Sequence, residues 1–231
     1  MRTALALLLL LLAGSSAASG FEPFSARYEL RRGSLTLGEA RFELTASPDR
    51  PDCQIYRYEA RPQGLARLFI GTLSERSEFC RVDGRLQPLR FEYQRADRPK
   101  DGFSLAFDAR AGTVTSSRGE IRSLEPGMTD RLLMQLQIRD WVRAREGLPG
   151  DEELAVTMVE DDRVKAYRFR ILAREPVQTP AGRVDNAVRV ERVDDPRKST
   201  RFWLDPAQGY GAVKVEQVKE GSEQLSLWRL P

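Results

Sequence analysis

The chain has no histidine among its 231 residues. That absence excludes every Ser–His and Cys–His nucleophile pair and every His-ligated metal site, unless a partner supplies the imidazole. Also missing are a glycine-rich phosphate loop, a G-x-S-x-G elbow and an S-x-x-K pair. No metal or cofactor is therefore expected. Carboxylate-only chemistry survives, as in glycoside hydrolysis, because it needs just two acids across a cleft. The acids that stand together, Glu160-Asp161-Asp162 and Asp194-Asp195, fall where turns are expected, and Asp is favoured there for backbone reasons.

Cysteine and lysine are scarce. The two cysteines are Cys53 and Cys80. In an oxidising compartment a lone pair reads as a disulfide. Cys53 opens one strand-like run and Cys80 closes the next, so a hairpin brings them face to face. The sharper alternative, a free catalytic thiol, lacks a histidine to activate it. Five of the 37 basic residues are lysine and the rest arginine. Against 34 acids the formal charge is only +3, too balanced for a dedicated nucleic-acid binder. Arginine binds anionic headgroups bidentately, but Arg–Glu pairing across strands accounts for the same bias.

One apolar run stands at the start. Arg2 precedes Ala4–Ala13, and small residues from Gly14 to Gly20 offer cleavage after Ala18 or Gly20. Residues 1–20 read as a secretory signal peptide, too short to span a bilayer. Leu12-Ala13-Gly14-Ser15 has the shape of a lipobox but carries Ser in place of the lipid-bearing Cys. The expectation is a periplasmic protein, not a lipoprotein, with no transmembrane span in the mature chain. Residues 21–231 suffice for a metal-free core, and one domain is expected.

Within them, Thr129–Arg145 is the only long helical pattern. At about 100° per residue its apolar side chains form two stripes. Met134, Ile138, Trp141 and Val142 make one; Leu132, Leu133 and Leu136 make the other on roughly the opposite side. Thr129 reads as the N-cap, while Gly147 and Pro149 stop the helix. Nearly everything else alternates as strands with turn signals every 8–12 residues, from Phe24–Arg32 and Leu35–Ala46 to Tyr210–Lys219 and Gln224–Leu230. The connection Pro62–Gly71 is unusually apolar, with Leu65, Leu68, Phe69 and Ile70; it is either a short core helix, the favoured reading, or a greasy lip at a cavity mouth. The expected fold is mainly β: one strongly curved antiparallel sheet or partly open barrel, with one long helix against its concave side. A two-sheet sandwich is the alternative.

The turn Thr179-Pro180-Ala181-Gly182 between strands, followed by Trp203-Leu204-Asp205-Pro206, resembles the bacterial exported family called domain of unknown function 3108. Gly84–Arg95 and the Asp130–Leu132 helix start resemble the same family, and the likeness covers essentially all of the mature chain. Gly211-Ala212-Val213 departs from a Leu-Pro-Val-like segment. The resemblance implies an envelope-located, β-rich domain. In architecture alone the chain is also similar to the half-barrel lipoprotein carriers of LolA and LolB type, which hold acyl chains against a curved sheet; fold analogy does not give function.

Three functions follow as expectations. The first is a non-enzymatic protein that binds or shields a hydrophobic or amphiphilic envelope component, a lipid or lipoprotein. Its cavity between helix and sheet would be lined by Leu132, Leu133, Leu136, Trp141, Trp203 and Phe69, with Arg131, Arg139 or Arg143 meeting an anionic head. The plain alternative for Trp141 and Trp203 is core packing of helix on sheet. The second is a scaffold module docking an envelope protein through the leucine stripe or an edge strand. The third is a carboxylate-dependent hydrolase of envelope polymer, which asks for two acids in one cleft and a raised pKa on one of them.

Overall fold

The structure, a computed structural model, describes residues 21–68 and 71–231. The expected signal peptide, Phe69 and Ile70 lie outside the described residues. Fifteen strands among these residues form a single sheet. β1 (Phe24–Arg32), β2 (Leu35–Ala46), β3 (Cys53–Pro62), β4 (Leu73–Val82), β5 (Arg85–Arg95), β6 (Phe103–Asp108), β7 (Thr113–Ser116) and β8 (Ile121–Ser123) meander to one edge. β9 (Met128–Thr129), β10 (Glu153–Val159), β11 (Val164–Thr179), β12 (Gly182–Arg192), β13 (Lys198–Asp205), β14 (Gly211–Lys219) and β15 (Ser222–Arg229) run inward from the other. The two halves join where β1 pairs antiparallel with β15, Tyr28 opposite Arg229. All pairings are antiparallel except the short one between β9 and β10.

The chain itself forces this sheet to curl. Its two edges, β8 and β9, are separated only by residues 124–127. An extended chain covers about 3.5 Å per residue, so the edges lie within about 18 Å of one another. They do not pair, and the barrel stays open. Asp161, on the β10–β11 turn, clasps the gap: Ser116 Oγ donates to its carboxylate at 2.5 Å, Arg118 pairs with it at 2.8 Å, and Arg122 donates to its carbonyl at 3.0 Å.

Period-two alternation sorts the side chains. On β2, Ala40, Phe42 and Leu44 are buried inside while Arg41 and Glu43 face out and pair at 2.9 Å. The same i,i+2 pairing recurs at Glu59–Arg61, Arg95–Asp97 and Arg183–Asp185. Much of the arginine excess is thus spent along the strands as well as across them; each such surface pair contributes about 1 kcal/mol at most.

The helix α1 (Leu133–Ala144) lies inside the curl. It starts later than the pattern suggests, because Thr129 is taken by β9, opposite Met158. Asp130 does the capping instead: its Oδ1 accepts from the backbone N–H groups of Leu132 and Leu133 at 2.9 and 2.8 Å. At the other end Gly147, at φ +66°, donates to the Val142 carbonyl at 2.9 Å. Both stripes are buried, by the two halves of the same sheet. Leu132, Leu133 and Leu136 pack with the inward residues of β1–β7, and Ile138, Trp141 and Val142 with those of β10–β13. The described part of the Pro62–Gly71 connection is not a core helix. Gly64–Leu68 is a single 3-10 turn without a buried residue, Leu65 and Leu68 being 79% and 74% exposed.

A candidate ligand-binding cleft

Between α1 and the sheet a cleft of about 610 Å³ remains. One wall is aromatic. Tyr28, Phe42 and Tyr56 project inward from β1, β2 and β3, with neighbouring ring centroids 5.3 and 5.8 Å apart. Leu136 and Ile138 of α1, and Phe202, Leu204 and Val215 of β13 and β14, complete the walls. The space exists because Ala26, Gly209, Gly211 and Ala212 present little or no side chain to it. Gly211 and Ala212 are the residues that depart from the Leu-Pro-Val-like segment.

The mouth is cationic. Arg139, Arg143 and Arg229 line it, with Glu22 as the one acid. Asp205 shapes the adjoining loop, accepting from the Ala207 N–H at 2.9 Å and the Gln208 side chain at 2.9 Å. That loop turns the Gly209 carbonyl toward Arg139, whose Nε donates to it at 2.7 Å. The Arg139 guanidinium also lies 5.2 and 5.3 Å from the rings of Phe21 and Phe24. Arg143 shares Asp140 with Arg81, at 3.1 and 2.7 Å. Among the described residues neither Arg139 nor Arg229 has a carboxylate within ion-pair distance. Burial pushes the Arg139 pKa down, and the same dry surroundings push the Tyr28 and Tyr56 phenols up. Arg139 is thus a partly buried cation held by carbonyls and aromatic rings, with the Asp140 carboxylate acting on it at longer range.

The residues expected from sequence are only partly brought together. Leu136, Arg139 and Arg143 meet in the cleft. Leu132 and Leu133 are fully buried beneath it, and Trp141 packs into the second half of the core. Trp203 does not face the helix. Its neighbours Phe202 and Leu204 point inward, so Trp203 packs on the outer face with Val177, Ala187 and Val213; its Nε1 donates to Glu175 at 2.7 Å. Arg131 lies away from the cleft, 3.2 Å from Glu75 and over the Tyr93 ring at 4.4 Å. Cys53 and Cys80 sit opposite each other on β3 and β4 and form the disulfide. Sequence reading missed Phe21, Tyr28, Tyr56 and Arg229; only the alternation of Tyr28 within its strand hinted at an inward face.

Two acids do carry raised pKa values. Burial pushes Glu75 up to about 7 and Asp130 up to about 6. They are not in the cleft. The Asp130 side chain is fully buried, with Ser77 Oγ donating to its Oδ2 at 2.6 Å while Oδ1 caps the helix. Glu75 borders a separate recess of about 290 Å³ whose other walls are chiefly the outward residues of β2–β5.

Residues 27–227 match the family model described as "Protein of unknown function (DUF3108)". The chain belongs to the DUF3108 family. No curated protein matches this DUF3108 chain. Among solved structures it is similar to a β-barrel-like protein of domain of unknown function DUF1849 from Brucella abortus, at 14% identity and a TM-score of 0.55, covering 90% of this chain and 95% of that one. A Bacteroides fragilis protein with a YmcC-like fold aligns at 12% identity and a TM-score of 0.40, covering 89% and 92%. The first likeness shows a β-barrel-like fold and nothing about ligands. No helix among the described residues is long and apolar enough to cross a membrane.

Proposed function

We propose that this DUF3108 protein is a non-enzymatic periplasmic protein that binds or shields a hydrophobic or amphiphilic component of the cell envelope, a lipid or lipoprotein. The observation that carries the reading is a cleft of about 610 Å³ over a buried aromatic floor, whose mouth holds Arg139 with no carboxylate at ion-pair distance. The signal-like residues 1–20 support the compartment. Native mass spectrometry of protein purified from its own periplasm tests it. The expected spectrum shows retained small-molecule mass that is lost on delipidation and regained when lipid is offered. A bare polypeptide mass with no uptake of offered lipid refutes it.

The exposed Leu65 and Leu68 favour a second reading, a docking module for an envelope protein. Crosslinking in intact cells separates the two. A docking module gives one stable neighbour that is lost on Leu65→Ser/Leu68→Ser substitution, and a carrier gives transient contacts that persist.

A further inference from the structure

Two neighbouring turns at one end of the sheet carry an apolar tip. Leu65 and Leu68 are the most exposed large apolar residues among those described, and Leu35 is 62% exposed. They lie on adjacent connections. Leu35 follows the β1–β2 turn, opposite Arg32. The 3-10 turn Gly64–Leu68 follows β3, which ends with Pro62 opposite Gly38 of β2; the Gln63 N–H then donates to the Leu37 carbonyl at 2.8 Å. A hairpin loop needs only about two to five residues. This one runs over residues 63–72, and its 3-10 turn buries none of its own side chains.

Charge on these turns has one sign. Residues 32–36 and 63–68 contain Arg32 and Arg67 and no acid. Beside them, Arg31 pairs with Glu29 and Arg61 with Glu59. Arg32 and Arg67 find no carboxylate at ion-pair distance among the described residues, and Arg67 spends only its Nε, on the Pro62 carbonyl at 3.2 Å. Exposed leucines beside unanswered guanidiniums match the layers of an anionic bilayer, where hydrocarbon lies beneath phosphate.

We infer that this tip seats the protein on an anionic lipid surface. Leu35, Leu65 and Leu68 enter the headgroup layer, and Arg32 and Arg67 meet the phosphates. Two features set a lipid surface above a protein partner. The leucines stand on exposed turns, so a partner would need a matching concavity, whereas a fluid layer conforms to them. Arginines on both turns without acids also suit a surface that is negative throughout. β1 runs from Phe24 in the cleft to Arg32 at the tip, so the cleft mouth stays clear of the lipid and the two sites are tested apart.

Flotation of the mature protein with lipid vesicles tests this. It should rise with vesicles of phosphatidylethanolamine and phosphatidylglycerol in equal parts, and bind phosphatidylcholine vesicles at least about tenfold more weakly. Leu65→Ser/Leu68→Ser should lower partition onto the anionic vesicles at least about tenfold. Arg32→Gln/Arg67→Gln should remove most of the difference between the two compositions. If either double variant fails to fold, Leu68→Trp decides: its emission should shift to the blue on anionic vesicles, and unchanged emission from bound protein overturns the inference. Flotation that ignores the leucine substitutions also overturns it. Equal binding to both compositions overturns the arginine contact. Failure to float with either composition overturns the lipid surface altogether, and loss of a stable crosslinked neighbour on the same leucine substitutions then assigns the tip to a protein.

Discussion

Glu75 offers a test that turns on the sign of a pH effect. Its side chain points into the sheet from β4, opposite Tyr58, and is 9% exposed. Burial pushes its pKa from the ordinary 4.5 up to about 7; the nearby Asp130 pushes the same way and Arg131 opposes. A carboxyl whose pKa is raised on folding holds its proton more tightly in the native state. Its contribution to stability is therefore fully present below about pH 4.5 and is lost as pH rises through about 7. At about 1.4 kcal/mol per pKa unit, the loss is on the order of 3 kcal/mol between those limits. Asp130, raised from 3.8 to about 6, acts in the same direction at lower pH. Glu75→Gln keeps the shape and removes the proton equilibrium. Urea denaturation of both proteins from pH 5 to 8.5 should show the wild type losing stability relative to the variant across that window, the gap opening by roughly 3 kcal/mol. Parallel curves would refute the reasoning, because they would mean that Glu75 is hydrated or paired well enough to ionise freely.

The two flanks of α1 should be equally intolerant of truncation: Leu133→Ala and Ile138→Ala, 0% and 1% exposed, should each cost about 2–5 kcal/mol by urea melt. A cost below about 1 kcal/mol at either would show that flank to be unpacked. Gly147→Ala introduces a Cβ 2.6 Å from the Val188 side chain, at φ +66°, and should lower stability by about 1–3 kcal/mol in a thermal melt. Asp161→Ala removes the acceptor for Ser116 Oγ and the partner of Arg118, so amide exchange in β7 and β8 should accelerate while β2 and β3 are unchanged. Uniform acceleration would refute a local clasp.

The strands were legible where alternation was clean. Phe24–Arg32 and Leu35–Ala46 begin and end where the pattern does, because each buries one face only. The pattern failed where backbone geometry intervened. β11 runs on to Thr179 through bulges at Ile171/Ala173 and Glu175/Val177 that break the period of two, and the second leaves Pro176 outside the ladder, where its missing N–H is harmless. β8 and β9, three and two residues long, carry too few residues for a period to show. Phe202-Trp203-Leu204 is apolar on both faces, so its facing was ambiguous until Val190 was placed opposite Phe202. The doubled stripe on α1 was visible in sequence, but its cover was not, since curvature arises from pairings far apart in the chain. For the same reason Arg139 was identifiable and Arg229 was not. They meet only because β15 returns to β1.

That return has a consequence for how the molecule comes together. Tyr28 and Arg229 stand some 200 positions apart, yet their strands are neighbours at the middle of the wall. Until the last segment arrives, β1 and β14 each present an unsatisfied ladder, a template for any passing extended chain. Assembly that waits on so remote a contact is slow. A truncated product lacking Ser222–Arg229 should therefore survive as two half-shells prone to stick to one another. In an intact chain the final strand acts as the zip that joins them.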